Sequence, residues 1–328
     1  MARYQPEMEA AIRAVRDAAL LTRSVADGIT TEVLEKRDRS PVTLADFGSQ
    51  AIVCRALGEA FPADPIIGEE DAGDLSRPEQ AGMLARLVAA VGRVAAGATA
   101  GDVLAWLDRG GASAYSDRFW TLDPIDGTKG FLRKEQYAIS LALVVGGETV
   151  IGALGCPNLA LEPERPETRG VLFTAVRGEG ATRRPLYGEG PAARIRVSSE
   201  GDPRRLRFCE SVEKEHSSHG DAARIAERLE IDAEPVRLDS QAKYAVVARG
   251  EAEAYLRLPK SADYVEKIWD HAGGAIVVEE AGGKVTDVMG HPIDLTCGRA
   301  LEKNRGIVAS NGALHEALLG AIRDLGIA

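Results

Sequence analysis

Apolar side chains recur at helical spacing in the first part of the chain. One such stretch covers residues 7 to 25 and a second covers residues 43 to 61, so two amphipathic helices are expected to open the fold. Their apolar positions are Met8, Ala11, Ile12, Val15 and Ala19 in the first, and Phe47, Ala51, Cys54, Leu57 and Phe61 in the second. A third helical stretch, over residues 79 to 96, is expected to end at the Gly/Ala segment 97 to 101.

Strand-like patterns follow these helices. Residues 119 to 123 predict a strand that ends in a turn. Residues 137 to 145 alternate apolar with small side chains, and Gly146 and Gly147 separate them from a second strand over 148 to 154, which predicts a hairpin. The Pro/Glu-rich stretch 161 to 169 breaks the pattern, and we place the boundary between two lobes there.

The rest of the chain alternates between two kinds of pattern. Strand-like runs cover 171 to 176, 206 to 210, 252 to 258 and 306 to 309, and helical runs cover 220 to 229, 241 to 249, 270 to 281 and 312 to 325. This alternation indicates a mixed sheet between helices, whereas the first half predicts helices on a largely antiparallel sheet. We therefore expect an α/β (α+β) fold with an N-terminal α+β lobe, 1–158, and a C-terminal α/β lobe, 159–328.

Composition narrows the classes of function. A length of 328 residues favours two lobes or one large layered unit. The net charge of −10, without a long run of Lys or Arg, disfavours binding of polymeric nucleic acid. Excess acid points weakly to bound metal, because a site for phosphorylated substrates needs cations to reverse the local field. Solubility alone is the simpler reading of the same charge.

Cysteine spacing and hydropathy bear on the compartment. The four cysteines, Cys54, Cys156, Cys209 and Cys297, lie too far apart for a zinc motif and are expected to be buried free thiols. No apolar signal core opens the chain, and nowhere do eighteen uncharged apolar residues run together. We expect a cytoplasmic protein without membrane contact. No pattern identifies a face for self-association.

The most specific segment is WTLDPIDGTKGF, residues 120 to 131. Asp123 and Asp126 flank Pro124, whose fixed φ makes the turn rigid and allows the two carboxylates to face one point. Magnesium suits such a site, and the Ile125 carbonyl could add a ligand. Gly127 and Thr128 would then start a short helix whose N–H groups face an anion. The alternative is an ordinary turn in which Asp126 caps the helix.

Three further acidic elements carry weaker signals. Glu69 and Glu70 follow an apolar run at a predicted strand end, where adjacent acids are costly unless a cation lies between them. Asp270 opens the apolar helix of IWDHAGGAIVVEE, where an acid is usually only a cap. Asp46 lies three residues after Thr43, and this pattern alone favours a capping box. For each element taken alone, a structural role is the simpler interpretation.

Together and in this order, the acidic segments resemble the inositol monophosphatase superfamily. The matching motifs are Gly68-Glu69-Glu70, the run from Asp123 to Thr128, and Trp269-Asp270. Longer strings resemble the 3′(2′),5′-bisphosphate nucleotidase branch, and the resemblance covers nearly the whole chain. These strings are KRDRSPVTLADFGSQ, DPIDGTKGFLRKEQYAISLALV, GCPNL, SVEKEHSSH, LDSQAKYAVVARGEAEAYLRLP and NRGIVASN. The resemblance implies a layered αβαβα sandwich with the active site between the lobes.

The resemblance also implies roles for individual residues. Two or three Mg²⁺ ions would be held by Glu69, Asp123, the Ile125 carbonyl, Asp126 and Asp270, with Glu70 nearby. Asp46 and Thr128 would orient and deprotonate the attacking water, which replaces the capping-box interpretation. Binding of the nucleotide would involve Gly127, Thr128, His216, Ser240, Lys243 and Arg257. The serine, lysine and arginine would contact the 5′-phosphate, which is not cleaved.

The implied activity is removal of the 3′-phosphate from adenosine 3′,5′-bisphosphate, a small-molecule substrate. The 3′-phosphoadenosine 5′-phosphosulfate donor is a possible second substrate, and the resemblance implies inhibition by lithium. One alternative is a sister enzyme that cleaves inositol mono- or bisphosphate or fructose 1,6-bisphosphate with the same metals. A more remote alternative is a catalytically silent regulator that binds magnesium and nucleotide; the full acidic set argues against it.

Overall fold

Two sheets and the helices around them make up the described part of the chain. The computed structural model describes residues 3–29, 40–73, 75–212, 219–259, 261 and 264–327. The helices are α1 Gln5–Asp27, α2 Ser40–Ala60, α3 Ala81–Val91, α4 Ala100–Asp108, α5 Thr128–Leu132, α6 His219–Arg228, α7 Ala242–Ala248, α8 Ala272–Glu280 and α9 His315–Asp324. Short 3₁₀ turns cover Pro78–Gln80, Pro203–Arg205 and Ile268–Asp270.

The strands divide between a large sheet and a smaller one. They are β1 Ile66–Gly68, β2 Arg118–Asp126, β3 Ala138–Val145, β4 Glu148–Glu162, β5 Arg165–Val176, β6 Gly180–Pro185, β7 Ala193–Arg194, β8 Phe208–Glu210, β9 Val236–Arg237, β10 Ala254–Arg257, β11 Lys284–Thr286 and β12 Ile307–Ser310. The first sheet has the order β1 to β7 and is antiparallel except for the β1–β2 pair. The second has the order β11-β12-β10-β8-β9 and is mixed.

The elements stack as five layers. A hydrophobic cluster joins α1 and α2 to one face of the first sheet, a second surrounds α7 and α8 between the two sheets, and a third joins the second sheet to α6 and α9. Strand β3 contributes to two of them, because Ile139 and Leu141 face α1 while Ala138 and Ala142 face α8. This is the αβαβα arrangement that was expected, and burial on both faces explains the continuous apolar run of β3.

Most predicted elements are confirmed with shifted ends. The two opening helices are α1 and α2, and the Gly146-Gly147 hairpin joins β3 to β4. Each strand-like or helical run of the second half overlaps an observed strand or helix. Both turn glycines have positive φ, 61° and 82°, as a two-residue hairpin turn requires. Among the cysteines, all free, Cys297 is only half-buried, whereas the other three are buried as expected.

Two local expectations were wrong. Thr43 and Asp46 do not form a capping box, because both lie inside α2. A capping box does occur at Thr99 and Asp102, where the predicted helix end is in fact the start of α4. The preceding helix ends at Val91 with Gly92 as its C-cap, earlier than predicted.

The first sheet also continues beyond the expected lobe boundary. Residues 158 and 159 lie within β4, and the Pro/Glu-rich stretch is the far end of a long β4–β5 hairpin. Prolines are accepted there because the ladder is interrupted by register shifts between Cys156 and Ala160 and between Ala160 and Glu162. The division into a metal-binding and a nucleotide-binding lobe stays a prediction. No helix among the described ranges is both long and apolar enough to cross a bilayer.

Glycines let α8 lie directly on the first sheet. A Cβ on Gly152 of β4 would lie 2.4 Å from Ile276 Cγ2 and 2.8 Å from the Gly273 carbonyl oxygen. A Cβ on Gly273 would in turn lie 2.3 Å from the Ser140 hydroxyl. The close approach fixes the start of α8, and with it Asp270, relative to β3.

We predict that Gly152→Ala destabilises the fold by about 1–3 kcal/mol, because the methyl group must displace α8. Urea denaturation monitored by circular dichroism measures this change. The control is Gly82→Ala in α3, where an added Cβ meets nothing within 4 Å. It should stabilise the fold by about 0.5–1 kcal/mol. Equal stability of Gly152→Ala and the wild type would contradict the close packing.

Candidate active site

The aspartates of the DPIDGT segment lie at the end of β2. Asp123 pairs with Ser140 of β3, and a register shift follows before Asp126 pairs with Ala138. This irregularity turns both carboxylates toward one cavity of about 260 Å³. The Pro124 carbonyl accepts a hydrogen bond from Ser49 Oγ at 2.9 Å, which ties the turn to α2. The Asp126 carboxylate accepts a hydrogen bond from the backbone N–H of Gln241.

Asp126 is not a helix cap, contrary to the simpler reading of this turn. The N-cap of α5 is Gly127, with φ 90° and ψ 47°, and it makes no side-chain cap. A Cβ at Gly127 would also lie 2.9 Å from Ser240 Cβ. Only glycine fits this position, so the turn brings Thr128 and the start of α5 close to Ser240.

Glu69 and Glu70 reach the same edge by way of β1. Because β1 runs parallel to β2 with Gly68 opposite Leu122, Glu69 lies beside Asp123. Gln50 of α2 fixes this segment: its Oε1 accepts from Glu70 N at 3.0 Å, and its Nε2 donates to the Glu70 carbonyl at 2.8 Å. Glu69 lines the cavity, whereas Glu70 lies outside it in a neighbouring depression.

Asp270 enters from the second half of the chain. It ends the 3₁₀ turn before α8, and the N-cap of that helix is His271, so Asp270 is not the cap that its pattern suggested. Gln241 ties the turn to the sheet, since its Nε2 donates to the Trp269 carbonyl at 2.9 Å while its Oε1 accepts from Ser140 Oγ at 2.9 Å. Asp270 therefore lines the same cavity as Asp126.

Arg299 joins the Glu69 segment to the Asp270 turn. Its Nη2 donates to the Glu69 carbonyl at 3.2 Å, a link between residues 230 positions apart. The guanidinium carbon also lies 4.6 Å from the centre of the Trp269 ring. The two acidic segments are thus connected through one side chain.

Electrostatics indicate a site made for cations. Burial, reinforced by Asp270 and Glu70, raises the pKa of Glu69 to about 8. Burial also raises the pKa of Asp270 to about 6, and it holds those of Asp123 and Asp46 well above their usual range. The Oδ1 atoms of Asp46 and Asp123 are buried and have no hydrogen-bond partner within the described part of the chain. Such oxygens suit a metal ion, which would supply the missing charge.

A second acidic group, Glu266, Asp270 and His271, is also compact enough for an ion. Glu266, however, already pairs with Arg257 Nε at 3.1 Å and with His271 Nε2 at 3.2 Å. Burial would raise its pKa, but the hydrogen bonds and charges of His271 and Arg257 outweigh burial and lower it to about 2. We therefore interpret Glu266 as the anion of an ion pair and Asp270 as a member of the larger acidic set.

Cationic residues line the cavity as well, and together they form what we call its cationic side. Lys243 is buried at the start of α7, and its Nζ donates to the Ser240 carbonyl at 2.8 Å. Burial lowers its pKa, against the attraction of Asp126. Arg257 ends β10 and lines the cavity with Tyr255 and Tyr264. Ser240 has φ 72°, an unusual conformation for a residue with a side chain and one typical of functional sites.

The predicted site residues thus divide into three groups. Those that line one cavity are Glu69, Asp123, Ile125, Asp126, Gly127, Thr128, Ser240, Lys243, Arg257 and Asp270. Asp46 and Glu70 lie behind it, close enough for their charges to interact. His216 lies outside the described residues.

A family comparison identifies this arrangement. A model described as the inositol monophosphatase family matches residues 3–326. The chain belongs to the inositol monophosphatase family. A 3′(2′),5′-bisphosphate nucleotidase of Schizosaccharomyces pombe is 42% identical over 97% of this chain and 95% of its own. One of Oryza sativa is 42% identical over 98% of this chain and 94% of its own.

Solved structures agree on the fold of this inositol monophosphatase family member. An inositol monophosphatase from Anabaena (Nostoc) sp. PCC 7120 aligns with a TM-score of 0.64 at 21% identity, covering 98% of this chain and 97% of its own. One from Zymomonas mobilis aligns with a TM-score of 0.65 at 20% identity, covering 98% and 100%. At these identities the likeness shows the fold alone.

The sequence patterns did not identify Gln50, Gln241 or Arg299 as residues that support the site. Each acts through hydrogen bonds to backbone atoms of the acidic segments. Gln50 and Gln241 are buried although their side chains are polar. Within the sequence they lie in the strings TLADFGSQ and LDSQAKY, next to predicted site residues, which was the available signal.

We predict that the metal-free protein becomes less stable against unfolding as pH rises from 6.5 to 8.5. Folded Glu69, with a pKa of about 8, keeps a proton that the unfolded chain has already released. The folded state therefore binds more protons, and the free energy of unfolding falls by about 1–2 kcal/mol over this window. Starting at pH 6.5 avoids most of the titration of His315, whose pKa burial lowers to about 4.

Urea denaturation in the presence of chelator at several pH values measures this dependence. Glu69→Gln should flatten it, because the substituted side chain does not titrate. Stability that rises with pH in the wild type would contradict the raised pKa values of the acidic group.

Proposed function

We propose that this protein is a magnesium-dependent phosphomonoesterase that hydrolyses the 3′-phosphate of adenosine 3′,5′-bisphosphate, giving AMP and phosphate. We include 3′-phosphoadenosine 5′-phosphosulfate as a second substrate. The observation that carries the proposal is one cavity lined by four carboxylates and two cationic side chains. The carboxylates are those of Glu69, Asp123, Asp126 and Asp270, and the cationic residues are Lys243 and Arg257. The similarity to 3′(2′),5′-bisphosphate nucleotidases of S. pombe and rice supports the same substrate class.

Two or three Mg²⁺ ions would be held by the acidic side. The residues proposed to bind them are Glu69, Asp123, Ile125 through its carbonyl, Asp126 and Asp270, with Glu70 adjacent. The unpartnered Oδ1 of Asp123 and the raised pKa values of the group support this assignment. When bound, magnesium supplies an acidified water and neutralises charge that develops on the phosphate and leaving oxygens.

Asp46 and Thr128 are proposed to orient the attacking water and to accept its proton. Asp46 lies close enough to Glu70 and Glu69 for their charges to raise its pKa, and its buried Oδ1 has no hydrogen-bond partner among the described residues. Thr128 begins α5 and lines the cavity. Gly127 and Thr128 together present backbone N–H groups, which suit the phosphate that is cleaved.

The cationic side is proposed to hold the 5′-phosphate, which stays on the product. Lys243 and Arg257 supply charged donors to a dianion, and Ser240 adds a hydroxyl beside them. We propose that His216, outside the described residues, contacts the base and ribose. One phosphate of a bisphosphorylated substrate would thus meet the proposed metal ligands, and the other would meet the cationic residues.

We predict that Asp123→Asn abolishes turnover, lowering kcat by at least about 10³-fold, because it removes a proposed ligand. Without metal the variant should be more stable than the wild type, since a buried carboxylate with a raised pKa is gone. Phosphate release and thermal unfolding in chelator measure the two effects. Substantial residual activity would contradict the proposed role of Asp123.

The substrate assignment is tested with a panel of phosphate esters. We predict that magnesium-dependent phosphate release is fastest from adenosine 3′,5′-bisphosphate, compared with inositol 1-phosphate, inositol 1,4-bisphosphate and fructose 1,6-bisphosphate. Chelator should abolish it, and lithium should inhibit it.

Other outcomes of the panel separate the alternatives. Preference for an inositol or sugar phosphate would overturn the nucleotide assignment and keep the metal chemistry. Absence of turnover together with measurable nucleotide binding would favour the non-catalytic regulator.

A further inference from the structure

A buried carboxylate lies behind the cationic side of the cavity without lining it. Glu266 accepts a hydrogen bond from Arg257 Nε at 3.1 Å, and its second oxygen lies 3.2 Å from His271 Nε2. Its side chain is 6% exposed, that of Arg257 18% and that of His271 3%. Arg257 and His271 both line the cavity, whereas Glu266 does not. The hydrogen bonds of Glu266 to residues that line the cavity therefore run through these two neighbours.

The backbone fixes the position of this carboxylate. The Glu266 carbonyl accepts from Leu301 N at 2.9 Å, and the next residue, Lys267, forms a β-bridge with Ala300. The histidine is fixed as well, because its Nδ1 lies 2.7 Å from the hydroxyl of buried Tyr244. These contacts are all satisfied when His271 Nε2 carries the proton and Nδ1 accepts from Tyr244. Glu266 is thus a fixed point against which Arg257 is held.

The charges around Arg257 explain why its ion pair with Glu266 matters. The guanidinium interacts electrostatically with Asp126 and Asp270, both on the acidic side of the cavity. Without a closer partner, a buried arginine would be drawn toward those carboxylates. Glu266 is a carboxylate that is hydrogen-bonded to this guanidinium, through Nε at 3.1 Å. This hydrogen bond at Nε fixes the orientation of the planar guanidinium. A fixed orientation matters because a guanidinium binds phosphate through directional hydrogen bonds.

We propose that Glu266 is a positioning residue that holds Arg257 at the end of the cavity that takes the uncleaved phosphate, and so sets the preference for bisphosphorylated over monophosphorylated substrates. This inference rests on the proposed function. It predicts a loss in recognition of one phosphate, and not a general loss of activity. A purely structural carboxylate would affect all substrates alike.

The test compares two substrates of the full-length, magnesium-loaded protein. One is adenosine 3′,5′-bisphosphate and the other is adenosine 3′-monophosphate, which lacks the uncleaved phosphate. In Glu266→Gln, KM for the bisphosphate should rise roughly tenfold or more, with little change in kcat. The kcat/KM for the monophosphate should change by less than about threefold. Glu266→Asp, which keeps the charge, should recover part of the loss.

A matched control is available directly before β10. Glu253 is also a buried carboxylate that accepts from an arginine, with Oε1 2.9 Å from Arg207 Nη2 and Oε2 3.1 Å from Arg207 Nε. It does not line the active-site cavity. Glu253→Gln should leave the ratio of kcat/KM for the two substrates unchanged, even if it lowers stability.

A double-mutant cycle with Arg257→Lys identifies the route of the effect. If Glu266 acts through Arg257, Glu266→Gln should change KM for the bisphosphate far less in the Arg257→Lys background than alone. Additive effects would overturn the inference, as would an equal loss on both substrates. Should Glu266→Gln not fold, the same comparison made with Glu266→Asp decides the matter. A wild type that hydrolyses neither nucleotide would instead overturn the proposed function itself, and this inference with it.

Discussion

Repulsion among buried carboxylates is the constraint on which the organisation of this protein depends. Glu69, Asp123, Asp126 and Asp270 line one cavity, and burial raises the pKa of every one of them. Folding brings these groups together at a cost, so the surrounding structure has to hold them there. Much of that support comes from hydrogen bonds to the backbone of the acidic segments, made by Gln50, Gln241 and Arg299. Polar side chains that bind the backbone of the acidic segments are therefore part of the site's design.

Much of the site could be predicted from sequence because its information is local. The spacing of Asp123 and Asp126 around Pro124 is enough to place two carboxylates at a rigid strand end, and β2 ends there. Glu69 meets Asp123 because parallel strands present their carboxyl ends at one edge, which follows once β1 and β2 are paired. By contrast, the pairing of Asp46 with this group was recognised only through a family resemblance. Its local pattern favoured a helix cap that does not exist.

The parts that sequence reasoning missed depend on contacts between distant segments. A T-x-x-D pattern occurs at both Thr43 and Thr99, and only the second caps a helix, because the first lies within α2. The Pro/Glu-rich stretch indicated a boundary, yet the long β4–β5 hairpin extends through it and β6 and β7 complete the sheet. Neither propensity nor periodicity reports which strand lies next to which. Gln241 illustrates the same point, since its role is defined by Trp269, 28 residues away.

The hydrogen bond from Arg299 to the Glu69 carbonyl joins two segments that lie 230 residues apart in the sequence. A partly synthesised or partly folded chain can form the β3–β4 hairpin without assembling the full acidic group. Repulsion among the carboxylates consequently arises late in folding, after the local elements have formed. Cations that relieve this repulsion should slow unfolding more than they accelerate folding. Cations bound in the acidic cavity would then give kinetic stability to a fold that assembles without them.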